Sequence, residues 1–453
     1  MFIDTHAHLF YPNYNDDVDE VISRAKNNGI DFIIVPGTDL ASSAQAVNLA
    51  DKYDFIYAAV GIHPHDTKEW NTSLLDELEG IALHQKVVAI GEIGLDYYYD
   101  FSPKEKQIQA FKEQLNLAIK LELPVIIHNR EANQDLMEII RSYQGSGLRA
   151  QFHCFAGSIN DARELVEMHH YISFTGNITF KKADTLRKIL SSIQIDNLLL
   201  ETDSPFMTPV PHRGQRNEPL FINLVAEKIA EVQNLTIDDI ANATSLNAFK
   251  LFGIGNMPGL TYTYKIKNSL YINVTNRCNA DCVFCKRKED ATVKGYSLKM
   301  LKSQEPPAEV YIKEIGNPAD FEEIVFCGFG EPTIRWDIVK EVAKFVKANG
   351  GKTRLDTDGH GNVINNRDIT PELEGLIDVV SISLNSIDKE QYAKLMRVEP
   401  QLYDEMIKFA RKAKQYCRVI MTVVDYNSVD KEGARRFVEN ELGVTFRERP
   451  YFS

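Results

Sequence analysis

The first 255 or so residues alternate eight short apolar, β-branched runs with amphipathic helical patterns. The runs fall at 2–9, 31–38, 56–64, 87–96, 124–131, 149–157, 171–177 and 197–205. Each of the first seven leads into a helical pattern. Residues 104–121, for example, place Ile108, Phe111, Leu115 and Ala118 on one face. A loop and two helices, at 218–233 and 237–252, follow the last run. Strands that are apolar on both faces and joined through helices pair in parallel, and eight such units of this total length close into a (β/α)8 TIM barrel.

A barrel of this kind carries its chemistry at the C-terminal ends of its strands. His6 and His8 end the first run, Glu92 lies in the fourth, His128 and His153 lie in the fifth and sixth, and Asp203 ends the eighth. His-x-His in an extended chain turns both rings to one side. A lone buried histidine is more often a hydrogen-bonded core residue. Six such groups at matching strand ends are expected to act together, as a site for two divalent cations with one carboxylate between them. His84, His169 and His170 lie away from the strand ends and read as structural.

The motifs Asp4-Thr5-His6-Ala7-His8, Gly61-Ile62-His63-Pro64-His65, Gly91-Glu92-Ile93-Gly94-Leu95-Asp96, Ile127-His128, Phe152-His153-Cys154-Phe155, Glu201-Thr202-Asp203-Ser204-Pro205 and Arg213-Gly214-Gln215-Arg216-Asn217-Glu218-Pro219 resemble the TatD family of metal-dependent hydrolases. The resemblance implies a barrel-shaped deoxyribonuclease or exonuclease acting on ends of single-stranded DNA or RNA. It carries His6, His8, Glu92, His128, His153 and Asp203 over as metal ligands, with Glu92 as the bridge. Asp203 is expected to take a proton from the attacking water, while the cations screen charge on a phosphoryl oxygen. His63, His65, Arg130 and Arg213 are the candidate phosphate contacts, since guanidinium groups match phosphate oxygens bidentately. Arg216 reads equally as a phosphate contact or a solvated loop residue. The cations are magnesium, manganese or zinc. The main rival reaction is amide or ester hydrolysis, such as deacylation of a charged nucleic acid.

At 453 residues the chain needs a second core. The breaker-rich segment Phe252-Gly253-Ile254-Gly255-Asn256-Met257-Pro258-Gly259 marks the boundary. It gives a hydrolase domain at 1–255, a linker at 256–267 and a second domain at 268–453. The net charge of −13 argues against a broad basic surface for duplex DNA. No apolar run reaches the roughly 18 residues of a membrane span, and no signal peptide is visible at the N-terminus. With six cysteines, three of them clustered, the expected compartment is the reducing cytoplasm.

In the second domain, strand patterns at 269–275, 322–327, 352–357, 378–384, 418–424 and 444–448 predict a partial (β/α)6 barrel. Cys278, Cys282 and Cys285 follow the first strand as C-x3-C-x2-C. Three thiolates can hold a [4Fe–4S] cluster with one iron left open. A zinc site would want a fourth ligand nearby. Gly328-Phe329-Gly330-Glu331-Pro332 follows the second strand, where glycine lets a ligand approach the backbone and the acid can receive an ammonium group. Cys327 and Cys417 read as small buried hydrophobes.

This arrangement resembles the radical S-adenosylmethionine (SAM) superfamily. The resemblance implies a [4Fe–4S] cluster on Cys278, Cys282 and Cys285, with Phe284 as the aromatic before the last cysteine. Gly330 and Glu331 would hold the methionine amino group, Phe329 standing where a second glycine is usual, and Ser383 and Asn385 would meet the ribose. It further implies an electron donor such as flavodoxin or ferredoxin, and cleavage of SAM to a 5′-deoxyadenosyl radical. The other reading is a sensor that binds SAM without turnover.

Overall fold

The computed structural model describes residues 2–426 and 429–449; Met1, Asn427, Ser428 and the terminal run Pro450-Tyr451-Phe452-Ser453 lie outside it. Two compact units divide the chain, Met1–Met257 and Pro258–Ser453.

In the first unit eight parallel strands form one sheet in sequence order: β1 (Phe2–Asp4), β2 (Ile30–Pro36), β3 (Ile56–Val60), β4 (Val87–Asp96), β5 (Val125–Arg130), β6 (Ala150–Phe152), β7 (Tyr171–Phe174) and β8 (Leu198–Leu200). Alternation along the strands sorts the core into two layers. Ile33 and Val35 of β2 face the helices, in one apolar cluster with Phe111 and Leu115. Ile34, Ala59, Ala89, Ile126 and Leu199 fill the interior, and Leu251 and Phe252 of the helix Ile237–Phe252 join them there. The first and last strands meet through their extensions. Thr5 N donates to Leu200 O (3.0 Å), Asp203 N to His6 O (2.9 Å) and His8 N to Ser204 O (2.8 Å). Strand β1 thus ends at Asp4, short of the run expected to 9, and His6 and His8 stand on its irregular continuation.

The second unit is built on a seven-stranded sheet. Its strands are β9 (Thr263–Ile266), β10 (Ser269–Asn273), β13 (Ile324–Cys327), β14 (Thr353–Thr357), β15 (Val379–Ser383), β16 (Arg418–Val424) and β17 (Thr445–Arg449), and a small separate ribbon of β11 (Thr292–Val293) and β12 (Tyr296–Ser297) falls between β10 and β13 in the chain. The order across the sheet is β17-β16-β15-β14-β13-β10-β9. Strands β10 to β17 of this sheet pair in parallel, as the βα alternation requires. Strand β9 pairs antiparallel with β10. The segment 256–267, expected as a linker, therefore contains a strand. Its two-residue turn uses Lys267 at φ 54°, a left-handed conformation that tight hairpins need. The periodicity of four residues is too short to be read against a nearby Gly- and Pro-rich stretch. No helix among the described residues is long and apolar enough to cross a membrane.

Candidate functional site

The seam between β1 and β8 builds one half of a buried polar cluster. Asp4 sits beneath it: Oδ1 accepts from His6 N (3.2 Å) and Thr202 N (3.0 Å), and Oδ2 from Thr202 Oγ1 (2.6 Å). These bonds fix the backbone on both sides, so His6, His8 and Asp203 converge; each is at most 8% exposed. His6 Nε2 lies 3.0 Å from His8 Nε2, and Asp203 Oδ1 is 3.9 and 3.6 Å from the two nitrogens. His8 Nδ1 donates to Pro36 O (3.0 Å), which fixes its tautomer and leaves the Nε2 lone pair facing the cluster.

Glu92 comes from β4, where pairing with β5 slips between Ile90 and Ile93 and re-aims the side chain into the barrel mouth. Gly94 lies in the same stretch at φ 145°, and a Cβ there would overlap the His128 carbonyl oxygen. The Glu92 carboxylate is divided. Oε2 lies 3.4 Å from both His6 Nε2 and His8 Nε2, while Oε1 lies 2.9 Å from His128 Nδ1 and from His153 Nε2, and 3.7 Å from His63 Nε2. Burial acts to raise the Glu92 pKa, but His153, His63 and His6 outweigh it and hold the carboxyl well below its usual range. Burial raises Asp203, with His153 and His8 opposing. Ring nitrogens facing an ionised carboxylate form a donor set that fits divalent cations, and three groups of donors converge here: His6 with His8 and Asp203, His6 with His153 and Glu201, and His63 with Glu92 and His128.

The remaining candidates lie around this cluster at different depths. His63, expected as a phosphate contact, is buried beside Glu92 and His128. His65 Nε2 meets Asp96 Oδ2 at 2.8 Å. Arg130 lies over the rings of Tyr98 and Tyr99 at 4.0 and 4.9 Å, and Arg213 over Phe180 at 4.1 Å. Arg216 is engaged elsewhere: its guanidinium donates to both oxygens of Asp17 (2.6 and 2.7 Å) and to Glu218 (2.8 Å). His170 is buried, and burial lowers its pKa to about 4; His84 lies 3.5 Å from Asp51.

Three features were not singled out from the sequence. Asp96 Oδ2 also accepts from His128 Nε2 (3.1 Å), so this carboxylate orients the ring whose other nitrogen faces Glu92. Glu201 accepts from Cys154 N (2.6 Å) and Gln151 Nε2 (2.9 Å) and stands 3.8 Å from His153 Nδ1; burial lifts its pKa to about 7. An aromatic rim flanks the histidines: Phe206 packs on Tyr11 (5.3 Å), Phe101 lies 4.8 Å from the His65 ring, and Tyr99 stacks on Phe101 (5.2 Å). Tyr98, Tyr99, Phe101 and Phe206 are each at least 40% exposed. Exposed aromatic residues beside a predicted catalytic motif were the available signal.

In the second unit the three motif cysteines lie on the loop after β10, none of them in a disulfide. Burial pushes Cys278 and Cys282 up to about 12, and both neighbouring motif cysteines add to the shift at Cys282. Cys282 Sγ meets Met396 Sδ at 3.5 Å, and Asn385 Nδ2 meets the same sulfur at 3.1 Å. Phe284 lies 6.3 Å from the Tyr426 ring. Gly330 has no room for a side chain, because a Cβ would strike the carbonyl oxygens of Thr275 and Arg277 at the root of the cysteine loop. Glu331 is buried; it accepts from Thr333 N, Thr333 Oγ1, Thr357 Oγ1 and Asp358 N at 2.6 to 2.9 Å. Burial and then the Asp358 carboxylate push its pKa up. Asp358 Oδ2 is itself buried without a hydrogen bond. Two neighbouring buried acids beside three thiols fit an ammonium-bearing ligand next to an iron–sulfur cluster. Ser383 Oγ accepts from Arg449 (3.0 Å). Cys327 Sγ lies 3.2 Å from Tyr264 Oη and Cys417 Sγ 3.5 Å from Ala413 O, both half-buried.

Comparison with known proteins follows the same division. Residues 3–253 match the TatD related DNase family, and residues 272–437 the radical SAM superfamily. The uncharacterized metal-dependent hydrolase YabD of Bacillus subtilis is 44% identical over 254 residues, 56% of this chain and 100% of YabD. The 3′-5′ ssDNA/RNA exonuclease TatD of Erwinia amylovora is 35% identical over 257 residues, 55% of this chain and 99% of that protein. The crystal structure of YJJV, a TatD homologue from Escherichia coli, superposes with a TM-score of 0.54 at 34% identity, over 56% of this chain and 98% of that one.

Proposed function

The chain belongs to the TatD-related DNase family and carries a radical SAM domain in residues 272–437, and from that premise we propose a bifunctional enzyme. Its first unit would be a two-metal phosphodiesterase that trims single-stranded nucleic acid from an end. Its second would cleave SAM reductively.

One observation carries the first half: the two oxygens of Glu92 face different histidines, one His6 and His8, the other His128 and His153 with His63 farther off. His6, His8 and Asp203 would hold one cation, His128 and His153 the other, and Glu92 both. Magnesium, manganese or zinc suits this mixed set. Such ions, when bound, acidify water and neutralise charge growing on a phosphoryl oxygen. The chain's own groups supply the rest. Asp203 accepts the proton of the attacking water on a carboxylate oxygen. Pro36 O holds His8, and Asp96 holds His128, in the orientation the reaction needs. His63 and His65 line the approach to them, and Arg130 and Arg213 offer paired donors to flanking phosphates. The rim of Tyr98, Tyr99, Phe101 and Phe206 offers faces on which unpaired bases can stack, which supports single strands over a simple amide or ester. In the test, metal-loaded enzyme releases mononucleotides from end-labelled single-stranded DNA or RNA. No release with any of the three metals overturns this reading, and loss of only the acyl group from an aminoacylated RNA favours ester hydrolysis.

For the second unit, Cys278, Cys282 and Cys285 would hold a [4Fe–4S] cluster, with Phe284 beside it. Glu331, over Gly330, would receive the methionine ammonium, and Asn385 and Ser383 the ribose. Cluster and SAM together supply one-electron cleavage of the sulfonium, driven by a donor such as flavodoxin or ferredoxin. The neighbouring carboxyls of Glu331 and Asp358 support this reading: Asp358, which burial would raise but His360 holds low, supplies negative charge, and Glu331 supplies acceptor oxygens, where the ammonium would bind. Formation of 5′-deoxyadenosine by the reduced, reconstituted protein tests this, and binding of SAM without that product favours a sensor.

A further inference from the structure

The sheet of the second unit has two unlike faces. Leu355 of β14, Val380 and Ile382 of β15 and Phe446 of β17 belong to its apolar core. By alternation, Arg354, Asp356, Ser381, Ser383, Arg447 and Arg449 lie on the opposite face. Arg447 and Arg449 sit two residues apart, roughly 7 Å along β17. They reach across β16: Arg447 Nη2 donates to Ser381 Oγ (3.1 Å) and Arg449 Nη2 to Ser383 Oγ (3.0 Å). Arg354 has carboxylates at hand, Glu323 at 3.1 Å and Asp356 at 3.4 Å. Among the described residues, Arg447 and Arg449 have none within ion-pair distance, and the Nε atoms of both are buried without a hydrogen bond, as is Asp356 Oδ1. Burial lowers the Arg449 pKa. Asp356 and Cys282 act against that, and Arg447 and Arg354 act with it, so all four lie within electrostatic reach of one guanidinium.

Each arginine is half-buried, with its Nε buried and without an acceptor; two such guanidinium groups side by side, with no carboxylate in ion-pair distance among the described residues, leave donors and positive charge unmatched. We infer that this face is an oxyanion-binding site for the substrate of the radical SAM domain, and that the anion is a phosphate. Two guanidinium forks carry more donors than one carboxylate can accept, while a phosphate has oxygens and charge for both. The inference rests on the radical SAM reading only for the identity of the molecule that bears the phosphate.

Inorganic phosphate is the probe, titrated calorimetrically into the anaerobically reconstituted full-length protein. Wild type is compared with Arg447→Gln/Arg449→Gln, so that phosphate bound in the first barrel cancels. The expected result is one binding event lost or weakened by about 100-fold, given the worth of charged hydrogen bonds. Iron content stays unchanged, and any change in SAM cleavage, through Ser383, is far smaller than the loss of phosphate affinity. Equal phosphate binding in the two proteins overturns the inference. So does tighter binding of acetate than of phosphate at this site, or a raised KM for SAM with phosphate binding intact, which would assign the arginines to SAM's own carboxylate. Should the glutamine variant lose its iron, Arg447→Lys/Arg449→Lys decides: weaker phosphate binding supports the site, and unaltered binding overturns it. A wild type that makes no 5′-deoxyadenosine sinks the radical reading and leaves the phosphate comparison standing.

Discussion

The two polar sites of this chain are assembled in opposite ways. The histidine–carboxylate cluster draws its groups from β1 to β8, and partners such as Pro36 O and Asp96 fix individual rings. The cysteine site takes its three thiols from one short loop, residues 278–285, whose sulfurs meet only soft or weak partners such as Met396. A site spread over strand ends is held by the scaffold before any ligand arrives. A site confined to a loop draws its order from the group it binds. Loss of one donor should therefore act differently in the two.

The sharpest break is Cys282→Ala. With only two thiolates left on the loop, it should lose its iron and all 5′-deoxyadenosine formation, while nucleotide release continues. Iron counting and both assays on one anaerobic preparation check this. A variant that keeps about four irons and cleaves SAM would remove the cluster assignment, and a parallel fall in hydrolysis would show that the units depend on each other. Next is Glu92→Ala, expected to cost more than the roughly 100-fold that bounds changes behind the ligands, because in the proposed site both cations would share this carboxylate, whose two oxygens face different histidines. Near-normal trimming of single-stranded DNA with an unchanged circular dichroism spectrum would end the two-metal assignment. Asp96→Asn tests orientation alone. It should weaken metal binding by about 10- to 100-fold with the fold kept, measured by metal titration; unchanged affinity would mean His128 needs no help. The smallest effect is expected from Arg213→Ala: a higher KM for phosphate-bearing substrates and a shallower salt dependence, since its guanidinium is proposed to meet only phosphates that flank the reacting one. An identical salt slope would return Arg213 to a role confined to Phe180.

The barrel was legible because parallel strands buried on both faces leave long apolar runs, and its strand-end rule pointed at His6, His8, Glu92, His128, His153 and Asp203. What sequence could not give is who meets whom. Nothing local tells that Asp96 serves both His65 and His128, or that Arg216 closes on Asp17, 199 positions away. His63 lies in a motif read as phosphate-binding, and only the fold sets it beside Glu92. Strand β9 hid because its four residues follow a segment rich in Gly and Pro. The strand pattern at 444–448 said nothing of its arginines, and only pairing set Arg447 and Arg449 on the face of Ser381 and Ser383.

The seam that joins Thr5 to Leu200 spans 195 positions of sequence. At a synthesis rate of roughly 5–20 residues per second, His6 and His8 wait on the order of 10–40 s for Asp203 to be made. During that interval a growing chain has every group on the β1 side and no complete site. The first unit can close while the second, from Pro258 on, is still being made. Its site is complete only when the barrel's last strand arrives, so the order of synthesis delays that site without making it wait for the whole chain.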